Sequence, residues 1–281
     1  MRVVSLLPAA TEIVAALGAG DWLVGVSHEC DYPPAVQALP RVTRSTLDAA
    51  LSSGEIDRRM AAAQAAGSSP ISIDVELLRR LAPDVILGQS VCDVCAVGEN
   101  ALAAALTQLD ARPTVVTLHA HDLEGVLADI ARVGAALDLA DEADELVLGM
   151  RYRFRTVSNH APRTTHRVLV LEWLDPPYVA GHWVPELVAI AGGDDAGNRP
   201  GARSVARPWP ELRALAPDRV VIALCGFDVA RARQETAAVS DADGRALVDG
   251  AAAFIDGNAY TSRPGPRLAD AAELLATLMA G

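Results

Sequence analysis

Three cysteines and one histidine carry the most pointed chemistry in this chain. His28 and Cys30 share the polar stretch Ser27-His28-Glu29-Cys30-Asp31-Tyr32, and Cys92-Asp93-Val94-Cys95 places a Cys-x-x-Cys pair in another. An imidazole with three thiolates is a tetrahedral donor set for zinc or iron, because soft sulfur and borderline nitrogen suit those ions. The expected metal set is therefore His28, Cys30, Cys92 and Cys95. Two other readings use the same residues: small cysteines are common in cores, and a thiol of depressed pKa beside His28 would serve a thiol-dependent enzyme. Spacing alone leaves the three open.

A second chemistry gathers later. Trp173, Tyr178, Trp183 and Tyr260 fall in loops of the second half, although aromatic residues are only 4% of the chain. Such rings would hold a large planar ligand by apolar contact and stacking; as core residues they would fill a sheet–helix seam. His182 could ligate cobalt or iron at one face of a chelate, or it could cap a helix or face solvent. Arg44, Arg203, Arg207 and Arg263 could bind propionates, amides or phosphate, against a default of surface ion pairing. No nucleophile–base–acid set has familiar spacing and no glycine-rich phosphate loop joins a strand to a helix, so binding is expected rather than catalysis.

Strands alternating with helices must position these groups. Arg2 to Leu7 reads as a strand that Pro8 ends, followed by a helix stopped at Gly18; Leu23 to Val26 is the next strand, and the His28 loop leaves its carboxyl end, where open α/β sheets place ligands. Leu78-Arg79-Arg80-Leu81-Ala82-Pro83-Asp84 leads into Val85-Ile86-Leu87, and Leu212-Arg213-Ala214-Leu215-Ala216-Pro217-Asp218 leads into Val220-Val221-Ile222. Two similar halves thus flank the helical run 121–158, in which Leu123, Val126, Leu127, Ile130, Val133 and Leu137 form a stripe while Glu124, Asp129 and Arg132 stay wet. The run is either one long strut or two helices meeting near Asp138. Residues 45–70 form a helix-rich insertion, Thr46 to Ala66, with a thin alanine face suited to covering an edge or a cleft mouth. The expected fold is α/β, two Rossmann-like lobes with mainly parallel sheets joined by a long helix: residues 1–119, 120–160 and 161–281.

A length of 281 residues and 51% hydrophobic content supply core for two domains. The net charge of −12, from 24 basic and 36 acidic residues, repels a phosphate backbone and argues against nucleic acid. No apolar run reaches the roughly 20 residues of a membrane-spanning helix. The first strand begins directly after Met1, with no room for a signal peptide, so a cytoplasmic location is expected as the sequence stands, or a periplasmic or cell-surface one if the true start lies upstream.

The order of Val4-Ser5-Leu6-Leu7-Pro8-Ala9-Ala10-Thr11-Glu12, Gly25-Val26-Ser27, Asp31-Tyr32-Pro33-Pro34, the doubled Leu-Ala-Pro-Asp, Ala191-Gly192-Gly193 and Arg263-Pro264-Gly265-Pro266-Arg267 resembles the helix-linked substrate-binding proteins of ABC importers, in particular their cobalamin-binding branch. The resemblance implies a corrinoid or related metal chelate between the lobes. In the first half it implies ligand contacts from Pro8, His28, Glu29, Asp31, Tyr32 and Gln89; in the second, from Trp173, Tyr178, His182, Trp183, Phe227, Tyr260 and Arg263. It also implies docking on a permease through a glutamate of each lobe, for which Glu76 matches and Glu211 is offset by one position. Three features depart from that branch: Glu29 where it has an aromatic residue, Ala191 and Ala276 at its disulfide positions, and the insertion with the Cys92–Cys95 loop.

Overall fold

The computed structural model describes residues 1–48, 50–90, 99–162 and 166–280. In chain order the elements are β1 (Val3–Ser5), α1 (Pro8–Ala16), β2 (Leu23–Val26), β3 (Thr43–Ser45), α2 (Ser53–Ala65), β4 (Ile71–Ile73), α3 (Val75–Leu81), β5 (Val85–Gln89), α4 (Glu99–Leu106), β6 (Thr114–Leu118), α5 (Leu123–Ala136) and α6 (Ala140–His160). There follow β7 (His166–Leu174), β8 (Pro177–Val179), α7 (Val184–Ile190), β9 (Gly193–Asp195), β10 (Val205–Ala206), α8 (Trp209–Ala214), β11 (Arg219–Ile222), α9 (Val229–Ala238), α10 (Ala242–Ala251), β12 (Ala252–Phe254), α11 (Gly257–Tyr260) and α12 (Leu268–Ala280).

The chain divides into two compact units. Met1–Leu51, Arg58–Ala120 and Glu124–Leu148 make the first; Ser52–Asp57, His121–Leu123 and Gly149–Gly281 make the second. The first is built on a wholly parallel sheet in the order β2-β1-β5-β6. Val3, Val4, Ile86 and Leu87 are fully buried, as expected for strands covered on both faces, and this is why they read as unbroken apolar runs. β3 and β4 form a separate antiparallel ribbon.

In the second unit the order is β10-β8-β7-β11-β12, with β9 also on β7. β9, β7, β11 and β12 are parallel, and β8 folds back antiparallel on β7. Leu169, Leu171, Val179, Leu212, Val220, Ile222 and Leu224 form its core.

The doubled Leu-Ala-Pro-Asp is one structural device used twice. Ala82 and Ala216 both turn left-handed (φ 39° and 47°) to end α3 and α8, and the following proline prevents continuation. Asp84 then exchanges two bonds with Arg2, accepting from its N at 2.7 Å and donating its own N to its O at 2.8 Å. Asp218 does the same with Arg167, at 2.8 Å in both directions. Each pair fixes the register of the entering strand against the central one.

The helical run is two helices. Asp138 sits at φ 57°, between α5 and α6. A Cβ on Gly134 would lie 2.4 Å from that of Ala143 and 2.8 Å from Leu139 O, so only glycine permits a turn this tight. The stripe Val126, Leu127, Ile130, Val133 and Leu137 is buried as expected, but Asp129 is not wet: it is 1% exposed and its Oδ2 accepts from His119 N and Ala120 N at 2.8 and 2.9 Å. The carboxylate faces inward because the chain leaving β6 needs acceptors there. The insertion helix begins at Ser53 rather than Thr46, since β3 extends through Ser45 and Ser53 is anchored in the second unit.

Candidate functional site

In the first unit the carboxyl ends of the parallel strands share one edge, where ligand loops of α/β sheets lie. Pro8 opens α1 there, half-buried. The loop after β2 is shaped by Arg41, whose Nη1 donates to Ser27 O at 3.0 Å and Cys30 O at 2.6 Å. His28 binds Thr43 Oγ1 through its backbone N at 2.9 Å and its Nδ1 at 2.7 Å. Burial, then the Arg41 charge, holds its pKa below the ordinary value, so the ring is neutral near pH 7, with Nε2 3.9 Å from Glu29 Oε1. Glu29, Asp31 and Tyr32 are exposed, and Gln89 is half-buried at the end of β5. Beside it Ser90 Oγ lies 2.5 Å from His119 Nδ1.

The expected metal set does not form among the described residues. Cys30 is 1% exposed with Sγ 3.1 Å from Thr11 Oγ1, so it is a core thiol, while His28 turns to Thr43. Among the described residues no three His, Cys, Asp or Glu side chains could hold an ion. Cys92 and Cys95 lie outside the described residues.

In the second unit, β7 carries Trp173 to the equivalent edge, β8 sets Tyr178 opposite it in register, and Phe227 follows β11. Trp173 and Phe227 meet at 5.2 Å between centroids, tilted by 32°. All three rings are half-buried. Trp173 Nε1 donates to Asp175 O at 3.1 Å, which satisfies its polar atom and leaves ring area for contact. The Arg231 guanidinium lies 4.8 Å over Phe227. Burial first, then the charges of Asp57 and Glu172, pushes the Tyr178 phenol above its usual pKa.

A second group of rings surrounds His182. The residue is left-handed (φ 55°), its ring stacks on His121 at 5.8 Å and lies 5.5 Å from Trp183. Burial, then His121 and Arg203, lowers its pKa, so it is a neutral imidazole near pH 7. Trp183 is a core residue, 6% exposed, with Nε1 on Thr261 O at 2.8 Å. Tyr260 is half-buried below Arg267, 5.7 Å from the ring, and Arg263 is 5% exposed with Nη2 on Asn258 Oδ1 at 2.8 Å. Arg44 pairs at the surface with Asp74.

A family model described as "Periplasmic binding protein" matches residues 3–236, which takes in the whole first sheet and every strand of the second but β12. The chain belongs to that family. Among curated relatives, an uncharacterized ABC transporter substrate-binding lipoprotein of Bacillus subtilis is 28% identical over 162 residues, 57% of this chain and 41% of the relative. The vitamin B12-binding protein of Vibrio cholerae is 56% identical over 41 residues, 15% of each chain. The match thus spans less than half the length of either. A solved structure of the periplasmic vitamin B12-binding protein of Vibrio cholerae covers 99% of this chain and 96% of its own at 21% identity (TM-score 0.68). A periplasmic heme-binding protein from Roseiflexus sp. RS-1 covers 99% and 97% at 20% identity (TM-score 0.70). These two share the fold.

Ser53, Asp57, Arg231 and Glu235 are the residues that reading the sequence passed over at the aromatic face. The i,i+4 pair Arg231–Glu235 was the available signal. Asp195 was also passed over. Its Oδ1 accepts from Gly197 N and Asn198 N at 2.8 and 2.9 Å, while Oδ2 is buried with no hydrogen-bond partner among the described residues. Burial, opposed by those two bonds, raises its pKa to about 6 from 3.8. A folded pKa above the unfolded one favours the protonated form, so this contribution is full below about pH 4 and lost as pH rises through 6. Asp195→Asn keeps the two acceptor bonds and cannot ionise. Between pH 4 and 7 the wild type is expected to lose about 2–3 kcal/mol relative to it, seen by urea unfolding at both pH values. Parallel pH profiles for the two proteins would refute the shift.

Proposed function

We propose that this chain is the substrate-binding component of an ABC importer and that it holds a corrinoid, cobalamin or cobinamide, against the face made by Trp173, Tyr178 and Phe227. That face carries the reading: three half-buried rings with one guanidinium give a planar macrocycle an apolar platform without reactive groups. The names of the Bacillus and Vibrio relatives support it. Corrin is favoured over heme by charge. Heme brings two propionates, whereas the amide arms of a corrin are neutral, and Asp57 and Glu172 make the surroundings of Tyr178 negative. Glu76 on α3 and Glu211 on α8 are exposed near the helix starts and are the proposed docking groups for a permease. With that role goes a periplasmic or cell-surface location in place of the cytoplasmic one.

Purified protein incubated with cyanocobalamin, dicyanocobinamide or hemin and passed through gel filtration tests the ligand. About one corrinoid per chain is expected to co-elute, with hemin retained more weakly. Retention of hemin alone, or of no chromophore, would defeat the corrinoid reading.

A further inference from the structure

The insertion that the resemblance left unexplained reaches the aromatic face. Ser53 is 2% exposed; its backbone N and its Oγ both donate to Glu235 Oε2, at 3.1 and 2.7 Å. The start of α2 is thus held twice: Ser52 Oγ accepts locally from Glu55 N at 3.3 Å, and a carboxylate from α9, 182 residues away in sequence, takes the N–H and hydroxyl of Ser53. The other oxygen of Glu235 accepts from Arg231 Nε at 2.8 Å and Nη2 at 2.7 Å. Both carboxylate oxygens are therefore engaged, and the Glu235 side chain is only 10% exposed. Arg231 in turn lies over Phe227, and Phe227 touches Trp173. Asp57, at the end of the same turn, acts on Tyr178, the register partner of Trp173. One connected chain runs from Ser53 through Glu235 and Arg231 to the rings. Beyond this turn α2 is largely exposed from Arg58 to Ala65.

We propose that Glu235 is a positioning residue for ligand binding: it holds the turn Ser52–Asp57 and the Arg231 guanidinium in place, and the turn forms one wall of the site on the aromatic face. The inference rests on the corrinoid reading above for the identity of the ligand. A carboxylate that only capped a helix would leave the affinity of the folded protein unchanged. As the holder of a wall and a guanidinium it pre-organises the face, and its loss transfers that ordering to the binding step.

The test uses the full chain with cyanocobalamin as probe, in two measurements. Trypsin cuts after Arg58 and Arg59, directly beyond the turn, and fragment masses report the rate. In Glu235→Ala this cleavage is expected to be at least about tenfold faster than in wild type, and the Kd for cyanocobalamin about tenfold weaker, with circular dichroism unchanged. Glu235→Gln keeps an acceptor for Ser53 but loses the Arg231 pair, and is expected to fall between the two. Ser53→Ala deletes one hydroxyl and serves if Glu235→Ala does not fold; a Kd about threefold weaker is expected. Unchanged Kd in the folded variants overturns the proposal even if cleavage accelerates, because the turn is then held but is no part of the site. Should wild type bind no corrinoid, the ligand reading fails separately, and the cleavage rates still decide the latch: equal rates in wild type and Glu235→Ala overturn it.

Discussion

Trp173→Ala is expected to bind cyanocobalamin about 30- to 300-fold more weakly than wild type while remaining folded. A large ring at the centre of a binding face commonly carries 2–3 kcal/mol, and tryptophan is the residue type most enriched in that role. Here the ring is also the support of a neighbour: Phe227 rests on it at 5.2 Å and Arg231 rests on Phe227 at 4.8 Å, so truncation loosens three groups at once. Trp173 is half-buried and stands at the end of β7, beyond the fully buried run Val168 to Leu171, so its loss costs the core little. Tyr178→Phe is the matched control. It keeps the ring and removes only the phenol, and its Kd is expected within about threefold of wild type, the worth of one weak polar contact. Titration followed by tryptophan fluorescence or calorimetry measures both. Wild-type affinity in Trp173→Ala would remove the aromatic face from the site.

How much of this could be read beforehand follows from the range of each interaction. The parallel strands were legible because a strand buried on both faces must be apolar throughout, as in Val85-Ile86-Leu87 and Val168-Leu169-Val170-Leu171. The duplicated Leu-Ala-Pro-Asp was legible because proline and a left-handed residue punctuate chain locally. The Asp74 cap of α3, on Leu77 N at 2.9 Å, is likewise local.

What failed was long-range. Nothing near Ser53 announces Glu235, and nothing near Trp183 announces that its indole N–H would find Thr261 O and draw the ring into the core. Cys30 resembled a ligand because thiols often are; its neighbour Thr11, on α1, made it a packed thiol instead. The helix break near Asp138 was one of two open readings and could not be decided, because the apolar stripe of α5 runs to Leu137, one residue short of the left-handed Asp138. In the aromatic face, Trp173 and Tyr178 were anticipated together on the loop after the strand Val168 to Leu171. Their pairing required knowing that β8 turns back on β7, a hairpin folded around Asp175 and Pro176.

Asp129 is the residue whose misreading has the largest consequence for stability. A polar residue on a helix with a clean apolar stripe is ordinarily placed on the wet side, yet this carboxylate is 1% exposed. It collects the N–H groups of His119 and Ala120 through one oxygen and the Arg132 guanidinium through the other. Those two amides belong to the turn that takes the chain from β6 toward α5, and Ala120 is itself 1% exposed, so its N–H has no water to fall back on. Asp129→Ala removes the acceptor and leaves a buried donor unpaired, with an expected loss of about 3–4 kcal/mol. Asp129→Asn retains one oxygen that can accept from both amides and loses only the pairing with Arg132, which is partly exposed; about 1–2 kcal/mol is expected. Urea unfolding should show the midpoint falling in that order with an unchanged slope, because the surface exposed on unfolding is the same. The same loss should be felt at the sheet edge, since His119, freed at its backbone, no longer holds its imidazole against Ser90. If Asp129→Ala costs less than about 1 kcal/mol, the turn finds its acceptors elsewhere and Asp129 does not fix it.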